Sequence, residues 1–167
     1  MDAFEIVDAC EGAACDEFRR LCEEYAASLP FSLCFQGFEA EMRSLPGKYG
    51  PPTGRMYVAR IGETAVGCAA IREIAPGVAE LKRMYVRQAA RGRGVARAIA
   101  QRLIADARSI GYDRMKLDTS ADMYEAQKLY RSLGFVPTER YNDDPIEDTL
   151  YFELRLGPRD AATESRA

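Results

Sequence analysis

Hydrophobic and polar positions recur along the chain with two spacings, one typical of helices and the other of strands. Apolar residues three or four positions apart predict amphipathic helices over residues 13–29, 94–110 and 122–133. A proline or a glycine follows each of these segments, as is usual where a helix ends. A shorter helix is predicted over residues 37–45, before a loop rich in proline and glycine at 46–54.

Between the helices, short apolar runs bounded by turn residues predict the strands. They cover residues 3–9, 56–61, 65–74, 78–86, 115–118, 135–141 and 149–156. The second and third form a hairpin, and the last two pair across residues 142–148. This order of elements predicts an α/β fold in which helices cover both faces of a mixed sheet, with a parallel β-α-β unit in the middle.

Length and composition fit one folded domain. The chain has 167 residues, of which 47% are hydrophobic and 29% charged, values typical of a soluble globular protein. We assign the domain to residues 1–156 and expect the polar segment 157–167 to be a disordered tail. The sequence has no apolar run of about 18–20 residues and no basic flank of a signal peptide at its acidic start. We therefore expect a cytoplasmic protein that does not act on a membrane.

Residue types that are absent exclude several kinds of catalysis. The sequence contains no histidine, which excludes Ser-His-Asp and Cys-His mechanisms and zinc sites with histidine ligands. Five cysteines form no C-x-x-C pair and are interpreted as buried free thiols: Cys10, Cys15, Cys22, Cys34 and Cys68. We expect no bound metal.

Charge is unevenly distributed along the chain. The net charge is −3, yet residues 81–116 carry ten basic and two acidic side chains. One basic segment in an acidic protein indicates a compact anionic ligand. Proteins that bind nucleic acid more often spread positive charge over a whole face, so a nucleic-acid partner is not expected.

The most informative segment lies where the strand at 78–86 passes into the helix at 94–110. Gly92 and Gly94 allow backbone N–H groups to converge, and the first turn and dipole of the helix point the same way. Such a loop binds pyrophosphate. The P-loop pattern and the third glycine of the dinucleotide fingerprint are both missing. The alternative is a tight turn with surface arginines.

Three segments resemble the GNAT superfamily of acyl-CoA N-acyltransferases. Residues 91–96 match its R/Q-x-x-G-x-G/A signature, residues 80–86 are similar to its fourth strand, and residues 126–135 match its A-x-x-L-Y-x-x-x-G-F pattern. Element order and spacing agree from about residue 3 to 156. The resemblance implies a mostly antiparallel, splayed sheet and an enzyme that transfers an acetyl group from acetyl-CoA to an amine.

The resemblance also implies which residues hold acetyl-CoA, the expected co-substrate. The backbone of Met84, Tyr85 and Val86 would pair with the pantetheine arm as an added strand, and a backbone N–H of this strand would stabilise the oxyanion. The signature loop would hold the pyrophosphate: Arg91, Gly92, Arg93, Gly94, Val95 and Ala96. Met123 departs from the pattern, because many members carry an asparagine there, near the pantetheine.

Acetyl transfer requires the amine to lose a proton. Without histidine the base is a carboxylate, a tyrosine or a water that one of them activates. Glu80 is the first candidate, because the resemblance places it where histone-acetylating members have their catalytic glutamate. The alternative is that Glu80 pairs with Lys82 or Arg72 and only shapes the acceptor pocket. Asp118, on the next strand, is the second candidate base.

Two further expectations concern the acid and the faces of the strand. The resemblance makes Tyr130 the acid for the leaving thiolate, although its position beside an apolar stripe also suits simple packing. Regular alternation predicts one face of the strand formed by Glu80, Lys82, Met84 and Val86, and the opposite face by Leu81, Arg83 and Tyr85.

The resemblance places the acceptor pocket in residues 29–55 and 137–150. Its candidate aromatic residues are Phe31, Phe35, Phe38, Tyr49 and Tyr141. Acidic side chains that would attract an amine are Glu39, Glu41, Asp143, Asp144, Glu147 and Asp148. Basic side chains that would bind a carboxylate are Arg55, Arg72, Lys82 and Arg83. Both charge signs suit an amino acid or another small amine, which we favour over a protein lysine.

Two alternatives from other classes remain. A non-catalytic acyl-CoA sensor acting on a protein partner would keep the phosphate-binding loop without needing Glu80 or Tyr130. An RNA-binding module would use the Arg-Gly run, but the chain is acidic and offers no adjoining aromatic platform. Many members of the family that the sequence resembles form dimers, so a homodimer is a further expectation. The sequence does not indicate where its interface would lie.

Overall fold

The computed structural model describes residues 3–30 and 37–157. Within these ranges the helices are α1 (Gly12–Ser28), α2 (Phe38–Arg43), α3 (Val95–Ile110) and α4 (Tyr124–Ser132). The strands are β1 (Phe4–Asp8), β2 (Arg55–Ile61), β3 (Thr64–Ala75), β4 (Val78–Val86), β5 (Arg114–Ser120), β6 (Val136–Pro137) and β7 (Thr149–Arg155). The predicted element order is confirmed. Cys34 and the predicted tail beyond residue 157 lie outside the described residues.

The seven strands form one sheet in the order β1-β2-β3-β4-β5-β7-β6. Every neighbouring pair is antiparallel except β4 and β5, which are parallel. The connection between these two contains α3, as parallel neighbours require a crossover. The mixed, mostly antiparallel sheet is therefore confirmed.

The parallel pair is joined at one end only. Val78, Ala79 and Glu80 of β4 pair with residues 114–116 of β5, and no pairing between the two strands follows. Beyond Glu80 the strands diverge, which confirms the predicted splay and opens a gap within the sheet.

Helices cover both faces of the sheet, as predicted. Along β2 and β3 successive side chains point to opposite faces. Met56, Val58, Cys68 and Ala70 pack with α1 and α2, whereas the alternate residues belong to the apolar core beneath α3 and α4: Tyr57, Ala59, Ala69 and Ile71. Among the described helices none is both long and apolar enough to cross a bilayer.

The predicted alternation along β4 holds as far as Lys82 and is wrong beyond it, because the strand contains a β-bulge. Arg83 and Met84 together lie opposite one residue of β3, and Arg83 has a φ of 61°. A bulge inserts one residue and reverses the facing of those that follow. Met84 therefore packs in the core below α3 and α4, whereas Tyr85 packs on the α1 side.

Side-chain contacts hold the bulge in this strained conformation. The Nε of Arg83 donates to Oε2 of Glu41 on α2 at 2.7 Å, and its guanidinium lies 5.1 Å from the ring centre of Phe38. A non-glycine residue at positive φ costs on the order of 1–3 kcal/mol and persists only where its surroundings fix it. The buried ion pair with α2 provides this fixation.

The predicted strand at 135–141 is wrong in length. The β6 strand pairs with β7 only at Val136 and Pro137, and the N–H of Thr138 donates once more to Tyr151. Proline has no N–H to donate, and β6 has a partner on one side only, so little holds the segment in the sheet. Residues 138–148 instead form a loop, called the 138–148 loop below.

Candidate active site

A cleft of about 930 Å³ occupies the gap between β4 and β5. Its walls are the second half of β4, the loop after it, the start of α3, the end of β5 and one side of α4. Because β5 diverges beyond Glu80, the edge of β4 that faces the gap has no strand partner within the described chain. Such an edge can pair with an extended ligand.

The loop at residues 91–96 closes one end of the cleft. Gly92 and Gly94 both have a φ of +81°, and Gly94 is the N-cap residue of α3. A Cβ atom built on either glycine meets no atom within 4 Å, so the space in front of the loop is open. The first turn of α3 carries no acidic side chain. Free N–H groups and a helix dipole at an open end suit an anion.

All but one of the residues predicted to contact the cofactor lie together in the cleft. Eight of them line the cleft: Met84, Tyr85, Val86, Arg91, Gly92, Gly94, Val95 and Ala96. Arg93 is exposed and is absent from the lining. Arg97 lines it instead and donates to Oγ of Ser132 on α4 at 2.7 Å, while the Nε of Arg91 donates to the carbonyl of Val86 at 2.9 Å. These bonds fix two cationic side chains at the end of the cleft that the loop closes.

Tyr130 forms part of the cleft wall on the α4 side. It is 5% exposed and packs edge-on against Phe135 at 5.8 Å between ring centres. Burial raises the pKa of its phenol, and the nearby Tyr25 and Asp118 raise it further. The hydroxyl has no hydrogen-bond partner among the described residues, so it can donate to a ligand in the cleft.

Met123 lies in the same cleft with its sulfur between two hydroxyl groups. Tyr25 of α1 donates to Sδ at 3.8 Å and Thr119 of β5 at 3.7 Å. The ring of Tyr25 also packs on Tyr85, at 5.3 Å between centres. Tyr25 was missed as a cleft residue, because its position on the apolar stripe of the first helix indicated only core packing.

A second cavity of about 260 Å³ adjoins the cleft. The two share four lining residues, namely Lys82, Arg83, Asp118 and Asp144. The second cavity is polar, and its remaining walls come from β3, β4, α2 and the 138–148 loop: Glu41, Arg72, Ile74, Glu80, Tyr141, Asn142 and Asp143. Glu39, Arg55, Glu147 and Asp148 do not line it, and Phe31 and Phe35 lie outside the described residues.

Glu80 lies in the second cavity with both carboxylate oxygens engaged. Arg72 donates to Oε1 from Nε at 3.0 Å and from Nη2 at 2.9 Å. Tyr141 donates its hydroxyl to Oε2 at 2.7 Å. Glu80 is 2% exposed, so the guanidinium and the phenol replace the water that a charged carboxylate would otherwise bind. The sequence left open whether Glu80 pairs with Lys82 or with Arg72, and in the structure its ion pair is with Arg72.

Asp118 differs from Glu80 in position and in environment. It lines both cavities, and the amide Nδ2 of Asn142 donates to its Oδ2 at 2.7 Å. Burial raises the pKa of Asp118, although the charge of Lys82 and the bond from Asn142 oppose that rise. A partly desolvated carboxylate with a raised pKa is a better proton acceptor near neutral pH.

The remaining ion pair of the second cavity joins α2 to the bulge. Glu41 accepts from Arg83 and, at 2.9 Å, from the hydroxyl of the buried Tyr49. Burial alone would raise the pKa of Glu41, but the hydrogen bond and charge of Arg83 outweigh it and lower that pKa. Two guanidinium groups of this cavity are thus each paired with a glutamate of the protein.

Comparison with known proteins identifies the family. The family model described as acetyltransferase (GNAT) family matches residues 18–135. An uncharacterized N-acetyltransferase of Schizosaccharomyces pombe is 38% identical over 143 residues, which cover 84% of this chain and 88% of that protein. An N-acetylaspartate synthetase of Danio rerio is 32% identical over 141 residues, 78% of this chain and 50% of that protein.

Solved structures agree in fold. A GNAT-family acetyltransferase of Staphylococcus aureus superposes with a TM-score of 0.76 at 16% identity, covering 93% of this chain and all of that one. The acetyltransferase yncA of Salmonella typhimurium, solved with acetyl-CoA, has a TM-score of 0.69 at 20% identity and covers 95% of this chain and 96% of that one. The chain belongs to the GNAT family and is an N-acetyltransferase.

Proposed function

We propose that this enzyme transfers the acetyl group of acetyl-CoA to the primary amine of a small molecule or amino acid, which attacks the thioester directly. The observation that carries the proposal is the junction of the two cavities. The cleft has one end suited to an anion and an edge of β4 with no strand partner among the described residues, and it opens into a small polar cavity at Lys82, Arg83 and Asp118. A donor in one and an acceptor in the other would meet there.

The chemistry of the cleft fits acetyl-CoA, whose thioester supplies the acyl group when it is bound. The backbone of Met84, Tyr85 and Val86 would pair with an extended pantetheine arm along the edge of β4. The loop at 91–96 offers N–H groups to a pyrophosphate, and Arg91 and Arg97 add charge. A backbone N–H of β4 would donate to the carbonyl oxygen and stabilise negative charge there.

For the base we propose Asp118, with Glu80 as the alternative. Two observations support Asp118: it lies where the cavities join, and burial raises its pKa. Glu80 lines only the second cavity and carries an ion pair with Arg72. Both of its carboxylate oxygens already accept hydrogen bonds, from Arg72 and from Tyr141, so neither is directed at an acceptor amine. Glu80 then shapes and charges the acceptor pocket.

For the acid we propose Tyr130. Its raised pKa keeps the phenol protonated at neutral pH, and its hydroxyl has no hydrogen-bond partner in residues 3–30 and 37–157. It can therefore donate a proton to a leaving thiolate. A coenzyme A thiol leaves readily without a full proton, so this contribution is smaller than that of the base.

The second cavity supports a small acceptor. About 260 Å³, bounded by the 138–148 loop, has room for an amino acid or a short amine. Its lining carries acidic groups for an ammonium and Lys82 for a carboxylate. A relative named N-acetylaspartate synthetase makes an N-acetylated amino acid by its name, which supports the same class of acceptor.

The test has two stages. Calorimetric titration with acetyl-CoA, with ADP as the control, should give micromolar binding of acetyl-CoA. A thiol-release assay with amino acids, short amines and peptides then identifies the acceptor. Release of coenzyme A with one class of acceptor, either a small amine or an amino acid, supports the proposal. Binding without release on any acceptor would instead favour the non-catalytic acyl-CoA sensor.

A further inference from the structure

The 138–148 loop presents two neighbouring side chains to two different carboxylates of the site. Tyr141 donates to Oε2 of Glu80 at 2.7 Å, and Asn142 donates to Oδ2 of Asp118 at 2.7 Å. Neither bond is local in sequence, since 61 residues separate the first pair and 24 the second. One loop thus contacts both candidate bases, one residue for each.

The orientation of the Asn142 amide is fixed by its other contacts. Its Oδ1 accepts from the hydroxyl of Tyr151 at 3.0 Å and from the backbone N–H of Asp144 at 3.1 Å. Both partners are donors here, so this end of the amide must be the oxygen. The NH₂ end must then face Asp118, where an acceptor is required.

Asn142 also spans two strands of the sheet. Asp118 on β5 and Tyr151 on β7 are direct cross-strand partners, and the amide bridges their side chains. The Tyr141 ring packs edge-on against Tyr151 at 5.4 Å, with Nζ of Lys116 5.4 Å from its centre. These contacts hold the loop against β5 and β7 and leave the amide little freedom to turn.

Building on the proposed function, we propose that Asn142 is a positioning residue for the base: it holds Oδ2 of Asp118 so that Oδ1 faces the acceptor amine. No described residue donates a hydrogen bond to Oδ1. The carboxylate therefore has one oxygen tied to the loop and one available at the junction of the cavities. Tyr141 likewise donates to Oε2 of Glu80, but the Arg72 ion pair engages Oε1, so Glu80 has no oxygen left for an amine.

Several charged or titratable groups surround Asp118. They are Lys82 and Glu80 from β4, Asp144 and Tyr141 from the 138–148 loop, Tyr25 from α1, Tyr130 from α4 and Tyr151 from β7. The charged ones would act on Asp118 together with Asn142, whereas the tyrosines are neutral over the pH range in which a carboxylate titrates. Loss of the Asn142 donor removes a bond that favours the charged carboxylate. The pKa of Asp118 should then rise.

The experiment compares Asn142→Ala with Tyr141→Phe, each of which removes one donor from one carboxylate. Carboxyl resonances of ¹³C-labelled aspartate are titrated in the free protein, with Asp118→Asn to assign the signal. Asn142→Ala should move the Asp118 titration up by about one pH unit, and Tyr141→Phe should leave it in place. The acidic limb of the pH profile of kcat/KM should shift by the same amount. The plateau value of kcat/KM should also fall, by about tenfold or more.

Several outcomes would overturn the inference. An unchanged Asp118 titration in Asn142→Ala would mean that the bond is not maintained in solution. A shifted titration with an unchanged rate profile would mean that Asn142 tunes Asp118 without positioning a base. An equal loss of acetyl-CoA affinity, thermal stability and rate would make Asn142 merely structural. If the acidic limb of the kcat/KM profile shifts only in Tyr141→Phe, the base is Glu80.

Failure of the proposed function would look different. In that case the unaltered protein would release no thiol from acetyl-CoA with any amine tested. The aspartate titration needs no turnover, so a one-unit shift would then establish the Asn142–Asp118 bond while removing its catalytic meaning.

Discussion

The two cavities of this enzyme are built in different ways. The features of the cleft that suit a ligand come from backbone: an edge of β4 with no strand partner among the described residues, two glycines at positive φ and the first turn of a helix. The second cavity is built from side chains on α2, β3, β4, β5 and the 138–148 loop. Its floor and walls are ion pairs and hydrogen bonds between residues distant in sequence.

This difference bears on how selective each cavity can be. A backbone site recognises groups that every acyl-CoA shares, so many sequences can build it. A side-chain site changes with each substitution at its wall and can select one acceptor. The bulge at Arg83 connects the two, because it turns that side chain toward Glu41 in the second cavity while neighbouring Tyr85 remains at the cleft.

The largest expected effect tests the backbone site. Gly94→Glu should abolish acetyl-CoA binding in calorimetry, because it adds a negative charge where the pyrophosphate would lie and strains a φ of +81°. Gly62→Glu is the matched control. Gly62 has a φ of +62° and equally open surroundings, but it lies in the β2–β3 turn.

Each of these substitutions should cost about 1–2 kcal/mol of folding stability from backbone strain. Only Gly94→Glu should lose the cofactor. Normal binding by this variant, or equal loss in both, would remove the loop at 91–96 from the cofactor site.

The second prediction tests the side-chain site. Asp118→Asn should lower kcat/KM by roughly 10²- to 10⁴-fold with acetyl-CoA affinity unchanged, because the proton acceptor is lost. Glu80→Gln should lower the rate far less and should instead lower the melting temperature, by roughly 4–8 °C for about 2 kcal/mol, since Arg72 loses its charged partner. Steady-state kinetics and thermal melts distinguish the two.

The unaltered enzyme should lose kcat/KM as the pH falls through the pKa of its base. For Asp118 that pKa is above the usual range of an aspartate. A reversed pattern, with Glu80→Gln inactive but fully stable, would assign proton transfer to Glu80.

The sequence predicted the two regions unequally, for a physical reason. Periodicity, glycines and a short contiguous motif specified β4, the loop at 91–96 and α3, because these contacts are local. The second cavity depends on pairings between distant residues, such as Glu41 with Arg83. The sequence identified both residues as charged candidates for the acceptor pocket, but it could not predict that they pair with each other.

Two errors follow from the same limit. Strict alternation missed the bulge at Arg83, whose φ of 61° depends on contacts with α2. Strand propensity extended β6 to residue 141, although Tyr141 leaves the sheet to bond Glu80. Asn142 gave no signal at all, because an asparagine in a loop usually indicates only a turn.

The third prediction concerns the acid. Tyr130→Phe should lower kcat by about 10- to 100-fold and leave acetyl-CoA affinity nearly unchanged, because only the donated proton is lost while the ring still packs on Phe135. Tyr112→Phe is the control, since Tyr112 is also buried but bonds the carbonyl of Thr53 away from the cleft. Equal losses of rate and affinity in Tyr130→Phe would make Tyr130 structural.

The smallest expected effect concerns Met123, where the sequence departs from the pattern that the family resemblance implies. Met123 is the N-cap residue of α4 and makes no side-chain capping bond. Asparagine is a favoured N-cap, so Met123→Asn should raise the melting temperature by roughly 2–4 °C. If its amide also reaches the pantetheine, acetyl-CoA should bind about 3- to 10-fold more tightly.

Met123→Ala separates the two contributions. It removes the sulfur contacts with Tyr25 and Thr119 without supplying an amide, so it should gain neither stability nor affinity. Higher stability without tighter binding in Met123→Asn would mean that the side chain caps α4 and does not reach the cofactor. Tighter binding would show that one substitution can adjust even a site built mainly from backbone, through the side chain that borders it.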